Sequence, residues 1–203
     1  MAAMVSVMLI ERFSNKQNRE MRYNPSMMKK LLILTCLFAV SSVFAEKAAA
    51  LLYPVHPPLA AEREISLAEL AAKAIEILAQ DKEGLFLMAE GSQIDWMGHQ
   101  NNGPTLVLEV VDFDDAVNVG LTFAEQNGET LALMTADHET GGFGLLGGSV
   151  ESQTVEETGF VHKGHTATMV PLFAFGPGSD VFHGVIDHTE IGKTMIRFIQ
   201  ASD

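Results

Sequence analysis

The sequence contains a single cysteine, Cys36, among its 203 residues. Cys36 lies in the run MKKLLILTCLFAVSSVFAEK, in which two lysines precede an apolar stretch, and small residues, Val43 and Ala45, occupy the positions that a signal peptidase recognises. This pattern predicts a signal peptide over 28–45 with cleavage after Ala45, and therefore a secreted or periplasmic protein. The mature chain would have no cysteine, which excludes disulfides and thiol catalysis.

Basic residues are also scarce, with 13 Lys and Arg against 26 Asp and Glu. Six of the 13 precede Ala45, so the later residues carry 7 basic and 24 acidic side chains, a formal charge of −17. A chain this acidic repels nucleic acid and anionic lipid, so neither is expected as a partner. The apolar run 31–40 is too short for a comfortable membrane span, and no later segment is long and uncharged. We therefore expect no membrane span in the mature chain.

Composition and patterning divide the chain into four segments. Residues 1–27 precede Met28 without a periodic pattern, and we expect them to be a leader outside the fold. Residues 28–45 are the predicted signal peptide. The proline-containing segment 46–65 predicts a linker. Residues 66–203 contain the periodic segments, and the chain as a whole is long and apolar enough to bury one sizeable core.

Hydrophobic periodicity predicts alternating helices and strands within 66–203. Ser66 and Glu69 form a capping box before a helix that ends at the sequence QDKEG, and a long helix over 105–128 closes at Gly128. Apolar runs predict strands over 84–89, 130–136 and 170–176, with a β-hairpin within 141–165 and a last helix from about Thr189, its N-cap, to Gln200. The alternation predicts a three-layer αβα sandwich with a mostly parallel central sheet.

Side chains that can bind metal ions cluster at the predicted strand ends, where open α/β sheets place their sites. They are Glu90, Asp95 and His99 in EGSQIDWMGHQNN after the first strand, Asp137 and His138 in TADHETGG after the second, and His165 in KGHTATMVP before the third. Carboxylate and imidazole ligands that converge on one sheet edge suit zinc.

Each motif also has an ordinary structural explanation. Asp95 and His99 are four residues apart and could form a surface pair on a helix. Asp137 and His138 could belong to a turn after a strand, and His165 could cap a strand, with His162 as a nearby competitor. The occurrence of all three motifs at the ends of one predicted sheet favours the metal site.

The segments GLFLMAEGSQIDWMGHQNN, TADHETGG and GHTATMVPLFAFGPG, in this order and spacing, resemble the carboxyl-terminal half of secreted bacterial alkaline phosphatases. The resemblance extends over roughly residues 53–200. It implies an alkaline-phosphatase-like fold, truncated relative to the family, and hydrolysis of small phosphate monoesters.

The resemblance also implies a set of metal ligands. One zinc ion would be bound by Asp95, His99 and His165, a second by Asp137 and His138, and a magnesium ion by Glu90. No role follows from it for Glu139, His162, His183 or His188. A homodimer is a further family expectation.

The family's serine nucleophile follows an aspartate, and this sequence contains no Asp-Ser step. The matching Asp, Ser, phosphate-binding Arg and magnesium-binding Thr belong to the family's amino-terminal half. Arg63, in the linker, and Arg197, in the last helix, are not placed to replace that arginine. We therefore identify no catalytic residue: the first zinc keeps all its family ligands, the second keeps two, and magnesium keeps one.

Three interpretations remain open on the sequence alone. The chain is an alkaline phosphatase with impaired activity, a non-catalytic secreted zinc-binding pseudoenzyme, or a half-enzyme that a second chain completes. A related metal-dependent phosphodiesterase or phosphomutase of the wider superfamily is a further alternative.

Overall fold

The computed structural model describes residues 5–11, 32–34, 56–81 and 84–200, which form a mixed α/β fold. The strands are β1 (Val5–Glu11), β2 (Leu32–Leu34), β3 (Phe86–Gly91), β4 (Thr130–Ala136), β5 (Glu139–Thr140), β6 (Gly144–Ser149), β7 (Thr154–Gly159), β8 (His165–Thr166) and β9 (Leu172–Phe175). The helices are α1 (Leu67–Leu78), α2 (Ser92–Gln100), α3 (Gly103–Asn127) and α4 (His188–Gln200), with a 3₁₀ turn at Ser179–Val181.

Five strands form the main sheet in the order β2-β3-β1-β4-β9. Strand β1 is antiparallel to both β3 and β4, so β3 and β4 run parallel to each other. Strand β2 is parallel to β3, whereas β9 is antiparallel to β4. The sequence predicts a mostly parallel sheet, and β9 departs from that pattern. A parallel return needs a crossover, usually through a helix, and the segment between β4 and β9 contains short strands instead.

Helices cover both faces of the sheet, which confirms the three-layer arrangement. Neighbouring residues of a strand point to opposite faces, so Leu9 and Leu87 pack with α1 and α3, while Ile10 and Phe86 pack on the other face. Ile191 of α4 belongs to this second cluster. Each layer of helices therefore has its own apolar contact with the sheet.

The helix ends follow the sequence chemistry in two of the predicted cases. The Ser66 hydroxyl accepts a bond from the Glu69 N–H at 3.1 Å, and the Glu69 carboxylate accepts one from the Ser66 N–H at 2.9 Å, so the capping box is confirmed. Helix α3 ends at Gly128, whose φ of 71° is left-handed and suits glycine. The predicted N-cap Thr189 was wrong. The Asp187 carboxylate accepts the Thr189 N–H at 2.9 Å, because an aspartate at this position satisfies a free amide of the first turn.

Helix α2 was absent from the predicted elements. Three of its buried residues are polar, Ser92, Gln93 and Asp95, so the sequence shows no clear apolar stripe at helical spacing. The predicted hairpin within 141–165 is confirmed by the antiparallel pairing of β6 with β7. The two-residue ladder between β5 and β8 was not predicted.

The expectation that residues 1–27 lie outside the fold was wrong for β1. This strand lies at the centre of the main sheet, and Leu9 and Ile10 are buried, with 1% and 3% of their surface exposed. The sequence VSVMLIE is short and rich in apolar and β-branched residues, which suits a strand buried on both faces. The absence of a longer periodic pattern concealed it.

Strand β2 lies within the predicted signal peptide 28–45, and both β1 and β2 precede the predicted cleavage site. The sheet described above is therefore the sheet of the uncleaved chain. None of the helices in the described ranges is both long enough and apolar enough to cross a membrane.

The central position of β1 makes a prediction for chain stability. The shortened chain 46–203 lacks β1, so β3 and β4 lose their shared neighbour, and we expect a lower melting temperature than for chain 1–203. In the full chain, Leu9→Ala should lower the free energy of unfolding by about 2 to 5 kcal/mol, because a buried Leu leaves a cavity. Thermal denaturation measures the first change and urea denaturation the second.

The matched control is Leu121→Ala, since Leu121 on α3 is 38% exposed and its truncation should cost less. Equal stability of chains 46–203 and 1–203, together with equal effects of the two Leu→Ala changes, would show that β1 is not part of the core.

Candidate metal centre

Three of the predicted ligands converge at one point. Asp95 and His99 lie one turn apart on α2, and His165 lies on β8. The Nε2 atoms of His99 and His165 are 3.1 Å apart, and the Asp95 carboxylate oxygens lie 3.4 Å from His99 Nε2 and 3.7 Å from His165 Nε2.

These separations fit a zinc ion. Tetrahedral bonds of about 2.0 to 2.1 Å place neighbouring ligand atoms about 3.3 Å apart. One ligand atom from each of the three residues lies within 4.8 Å of the other two, and in the described part of the chain these residues form the one such group of three. A carboxylate and two imidazoles are also ligands that zinc prefers.

Local structure directs these side chains. Helix α2 follows β3 directly, and its buried Ile94 and Met97 anchor it against the core, so Asp95 and His99 face the sheet edge. The Nδ1 atom of His99 lies 2.7 Å from the carbonyl oxygen of Lys163. A carbonyl can only accept, so Nδ1 carries the proton and Nε2 of the neutral ring has the lone pair that a metal needs.

Asp137 and His138 lie beside this group, directly after β4. The His138 ring stacks on the His165 ring, with centroids 3.6 Å apart and planes inclined by 20°. His138 Nε2 lies 3.2 Å from an Asp137 carboxylate oxygen, and His138 Nδ1 lies 3.3 Å from the Thr140 hydroxyl. The structure thus brings the two predicted groups of zinc ligands together at one sheet edge.

Glu90 lies at the end of β3 and is buried, with 9% of its surface exposed. Burial, which is the largest cause, and the negative charges of Asp137 and Asp95 together raise the pKa of Glu90 to about 7. These three carboxylates therefore repel one another across a small space. A bound cation would relieve this repulsion and restore the charged form of Glu90.

Two further residues of the centre, Glu139 and Thr140, form β5 and were not predicted from the sequence. Both are buried. The Thr140 hydroxyl donates to Asp95 Oδ1 at 2.5 Å, and the Glu139 carboxylate accepts the backbone N–H groups of Gly142 and Phe143 at 3.1 and 3.0 Å. No local sequence signal marked them, because their burial depends on the pairing of β5 with the distant β8.

Three other histidines, His162, His183 and His188, have backbone partners. His188 Nε2 lies 3.0 Å from the Ala136 carbonyl oxygen, and His183 Nδ1 contacts the Asp180 carbonyl oxygen. The ring of His162 accepts the Gly164 N–H at 3.1 Å, and His162 does not belong to the convergent group.

The two arginines in the described ranges lie away from the centre. The Arg63 guanidinium donates to the carboxylates of Glu109 and Asp112 at 2.9 and 2.8 Å, and only 6% of its side chain is exposed. The pKa of Glu109 is raised overall, because the effect of burial exceeds the lowering by the Ala60 N–H and the Arg63 charge. Arg197 donates to Thr194 on α4. Arg63 therefore fastens the segment before α1 to α3.

A sequence model of the family described as alkaline phosphatase matches residues 54–157, just over half of the chain. The chain belongs to the alkaline phosphatase family. The recognition of this family and of its fold is confirmed.

Individual family members show how much of an alkaline phosphatase the chain matches. It is 30% identical to alkaline phosphatase 3 of Bacillus subtilis, over 66% of this chain and 44% of that protein. It is 32% identical to the alkaline phosphatase of Escherichia coli, over 64% of this chain and 31% of that protein.

Solved structures give the same result. The alkaline phosphatase of the Antarctic bacterium TAB5 is 40% identical, with a TM-score of 0.66, over 74% of this chain and 45% of that one. A variant of that protein with Mg bound in its M3 site is 38% identical, with a TM-score of 0.65. The chain thus spans less than half the length of these relatives.

The buried position of Arg63 makes a prediction that separates fold from site. Arg63→Ala leaves two carboxylates without their cation and should lower the free energy of unfolding by about 3 to 5 kcal/mol. Zinc affinity of the folded protein should not change, because Arg63 bonds to Glu109 and Asp112 and to none of the ligands. Urea denaturation and zinc titration measure the two quantities.

The control is Lys73→Ala, which removes an exposed ion pair with Glu76 and should cost less than about 1 kcal/mol. A weaker zinc affinity in folded Arg63→Ala would contradict the assignment of Arg63 to the fold alone.

The raised pKa of Glu90 predicts a pH dependence of the metal-free protein. The folded state holds the proton of Glu90 up to a pH of about 7, whereas the unfolded chain releases it near 4.5. Stability therefore falls as the pH rises through this window, by on the order of 2 to 3 kcal/mol for a shift of this size. Urea denaturation in EDTA at pH 5 and pH 8 measures the loss.

Glu90→Gln cannot ionise and should remove most of this fall, so the variant should be the more stable protein at pH 8. If the difference in stability between the two proteins is the same at both pH values, the raised pKa of Glu90 is wrong.

Proposed function

We propose that this chain supplies the metal-binding part of an alkaline phosphatase that hydrolyses small phosphate monoesters. The observation that supports it most directly is the convergence of Asp95, His99 and His165, whose mutual distances suit one zinc ion. Membership of the alkaline phosphatase family supplies the reaction class.

The metal ligands follow the same proposal. Asp95, His99 and His165 hold the first zinc ion, Asp137 and His138 contribute to a second, and Glu90 contributes to a magnesium site. Metal ions held there supply Lewis acidity and neutralise charge on the phosphoryl oxygens.

The other side chains of the centre orient these ligands. The Lys163 carbonyl fixes the tautomer of His99, and the Thr140 hydroxyl donates a hydrogen bond to one carboxylate oxygen of Asp95. Stacking of His138 on His165 holds both rings at the same edge. Such contacts limit the movement of the ligand side chains. They therefore hold the ligand atoms in an arrangement that suits a metal ion.

The resemblance to the family identifies no residue of this sequence as the nucleophile that attacks phosphorus. The sequence has no Asp-Ser step, and the two described arginines bond to Glu109, Asp112 and Thr194. We therefore expect slow hydrolysis by the chain alone and faster hydrolysis when a polypeptide with the family's Asp-Ser segment is added. A second candidate function, a zinc-binding pseudoenzyme, is favoured by the same observation.

Partners and location complete the proposal. A complementing chain or a second copy would cover apolar side chains that are exposed in the described residues, including Val111 on α3 and Phe173 on β9, which are 56% and 57% exposed. The predicted signal peptide over 28–45 supports secretion or periplasmic location, and intact-mass measurement of secreted protein would show whether cleavage follows Ala45.

Zinc binding by the purified, metal-free chain 1–203 tests the proposal. We expect saturable binding that His99→Ala weakens by at least about tenfold, since this change removes one of the three side chains that bind the ion directly. The matched control is His183→Ala, because His183 is exposed and lies outside the convergent group. Hydrolysis of p-nitrophenyl phosphate is then followed with and without a polypeptide carrying the Asp-Ser segment of a relative.

The outcomes separate the candidate functions. Zinc binding with hydrolysis that His99→Ala abolishes supports the phosphatase. Zinc binding without hydrolysis under either condition supports the pseudoenzyme. Absence of zinc binding contradicts both.

A further inference from the structure

Glu139 is a buried carboxylate outside the convergent ligand group, with 2% of its surface exposed. Its two oxygens accept the N–H groups of Gly142 and Phe143, and the Thr166 hydroxyl also donates to it. A buried carboxylate with several donors is held strongly in one orientation, because bonds to an ionised acceptor are the stronger kind. Glu139 thus joins two segments of the chain, the turn at Gly142 and Phe143 and the strand β8 that contains Thr166.

The second of those segments carries a zinc ligand. Glu139 pairs with Thr166 across the β5–β8 ladder, and Thr140 pairs with His165 in the next position. Neighbouring side chains of a strand point to opposite sides, so the Thr166 anchor on one side leaves His165 to face Asp95 on the other. The orientation of His165 therefore depends on the position of Thr166.

The ladder needs this anchor because it contains only two residue pairs. Two-stranded pairings are marginal by themselves, and this one is far shorter than a usual strand. Backbone bonds around Gly141 add support, since its N–H donates to the Gly164 carbonyl at 2.9 Å and its carbonyl accepts the Val161 N–H at 2.8 Å. A side chain at Gly141 would meet the Phe160 ring at 2.8 Å, and its φ of 88° also favours glycine.

We propose that Glu139 is a positioning residue of the zinc site, which anchors Thr166 and thereby holds His165 against Asp95. Glu139 does not bind the metal in this proposal. Thr140, the next residue on β5, points to the opposite side of the strand and donates a hydrogen bond to the ligand Asp95. The inference rests on the proposed function in that it takes Asp95, His99 and His165 to bind zinc.

The test measures zinc affinity of the full chain by competition with a chromophoric chelator, on variants that far-UV circular dichroism shows to be folded. Glu139→Gln should weaken zinc binding by about 10- to 100-fold, the usual effect of losing a group that orients a ligand. The exposed Glu129→Gln is the matched control and should bind zinc as the wild type does. The visible spectrum of the Co²⁺-loaded protein should change for Glu139→Gln only.

A second pair of variants keeps the test decisive if Glu139→Gln does not fold. Thr166→Val has nearly the same shape but lacks the hydroxyl, and it should weaken zinc binding at least about fivefold, by loss of roughly one hydrogen bond to a charged group. Thr166→Ser retains the hydroxyl and should restore the affinity.

Wild-type zinc affinity in both folded Glu139→Gln and Thr166→Val would overturn this inference and leave the proposed function intact. Absence of zinc binding by the wild-type chain would overturn the proposed function and this inference together.

Discussion

The parallel orientation of β3 and β4 on either side of β1 determines where the candidate ligands lie. Two strands that run in the same direction end at the same edge, so the residues that follow them meet there. Glu90 lies at the end of β3, α2 starts at once with Asp95 and His99, and Asp137 follows β4. A reversed β4 would place Asp137 at the opposite edge of the sheet.

The electrostatics of this edge follow from the same arrangement. Glu90, Asp95 and Asp137 approach one another closely enough that the like charges add to the effect of burial on the pKa of Glu90. Folding alone does not favour such a group of carboxylates, because each loses water and repels the others. A site for divalent cations gives a physical reason for these residues to share one edge, and the imidazoles of His99 and His165 make zinc the fitting ion at its centre.

Short-range chemistry was the part of the fold that the sequence predicted well. The capping box at Ser66, the end of α3 at Gly128 and the strand 130–136 each depend on residues within a few positions of one another. The direction of β9 and the place of β1 in the sheet depend on pairing between distant segments, which periodicity does not encode. Helix α2 was missed because its buried side is polar, and that polarity is itself a consequence of the site.

The same distinction applies to the candidate site. Asp95, His99 and His165 could be named from motifs, since each motif contains the ligand itself. Glu139 and Thr140 could not, because their place depends on a two-residue ladder that pairs Glu139 with Thr166 and Thr140 with His165, which are distant in the chain. Arg63 shows the converse, since its exclusion from the site was predicted from its place in the chain, whereas its buried contacts with Glu109 and Asp112 were visible only in the fold.

The central claim is that two separate motifs, one with Asp95 and His99 and the other with His165, meet at one zinc ion. A crystal structure of the zinc-loaded chain, with anomalous data collected at the zinc absorption edge, tests it most directly. We predict an anomalous peak bonded to Asp95, His99 and His165 at about 2.0 to 2.2 Å. A peak bound by other residues, or the absence of a peak between these three in zinc-loaded crystals, would contradict the account.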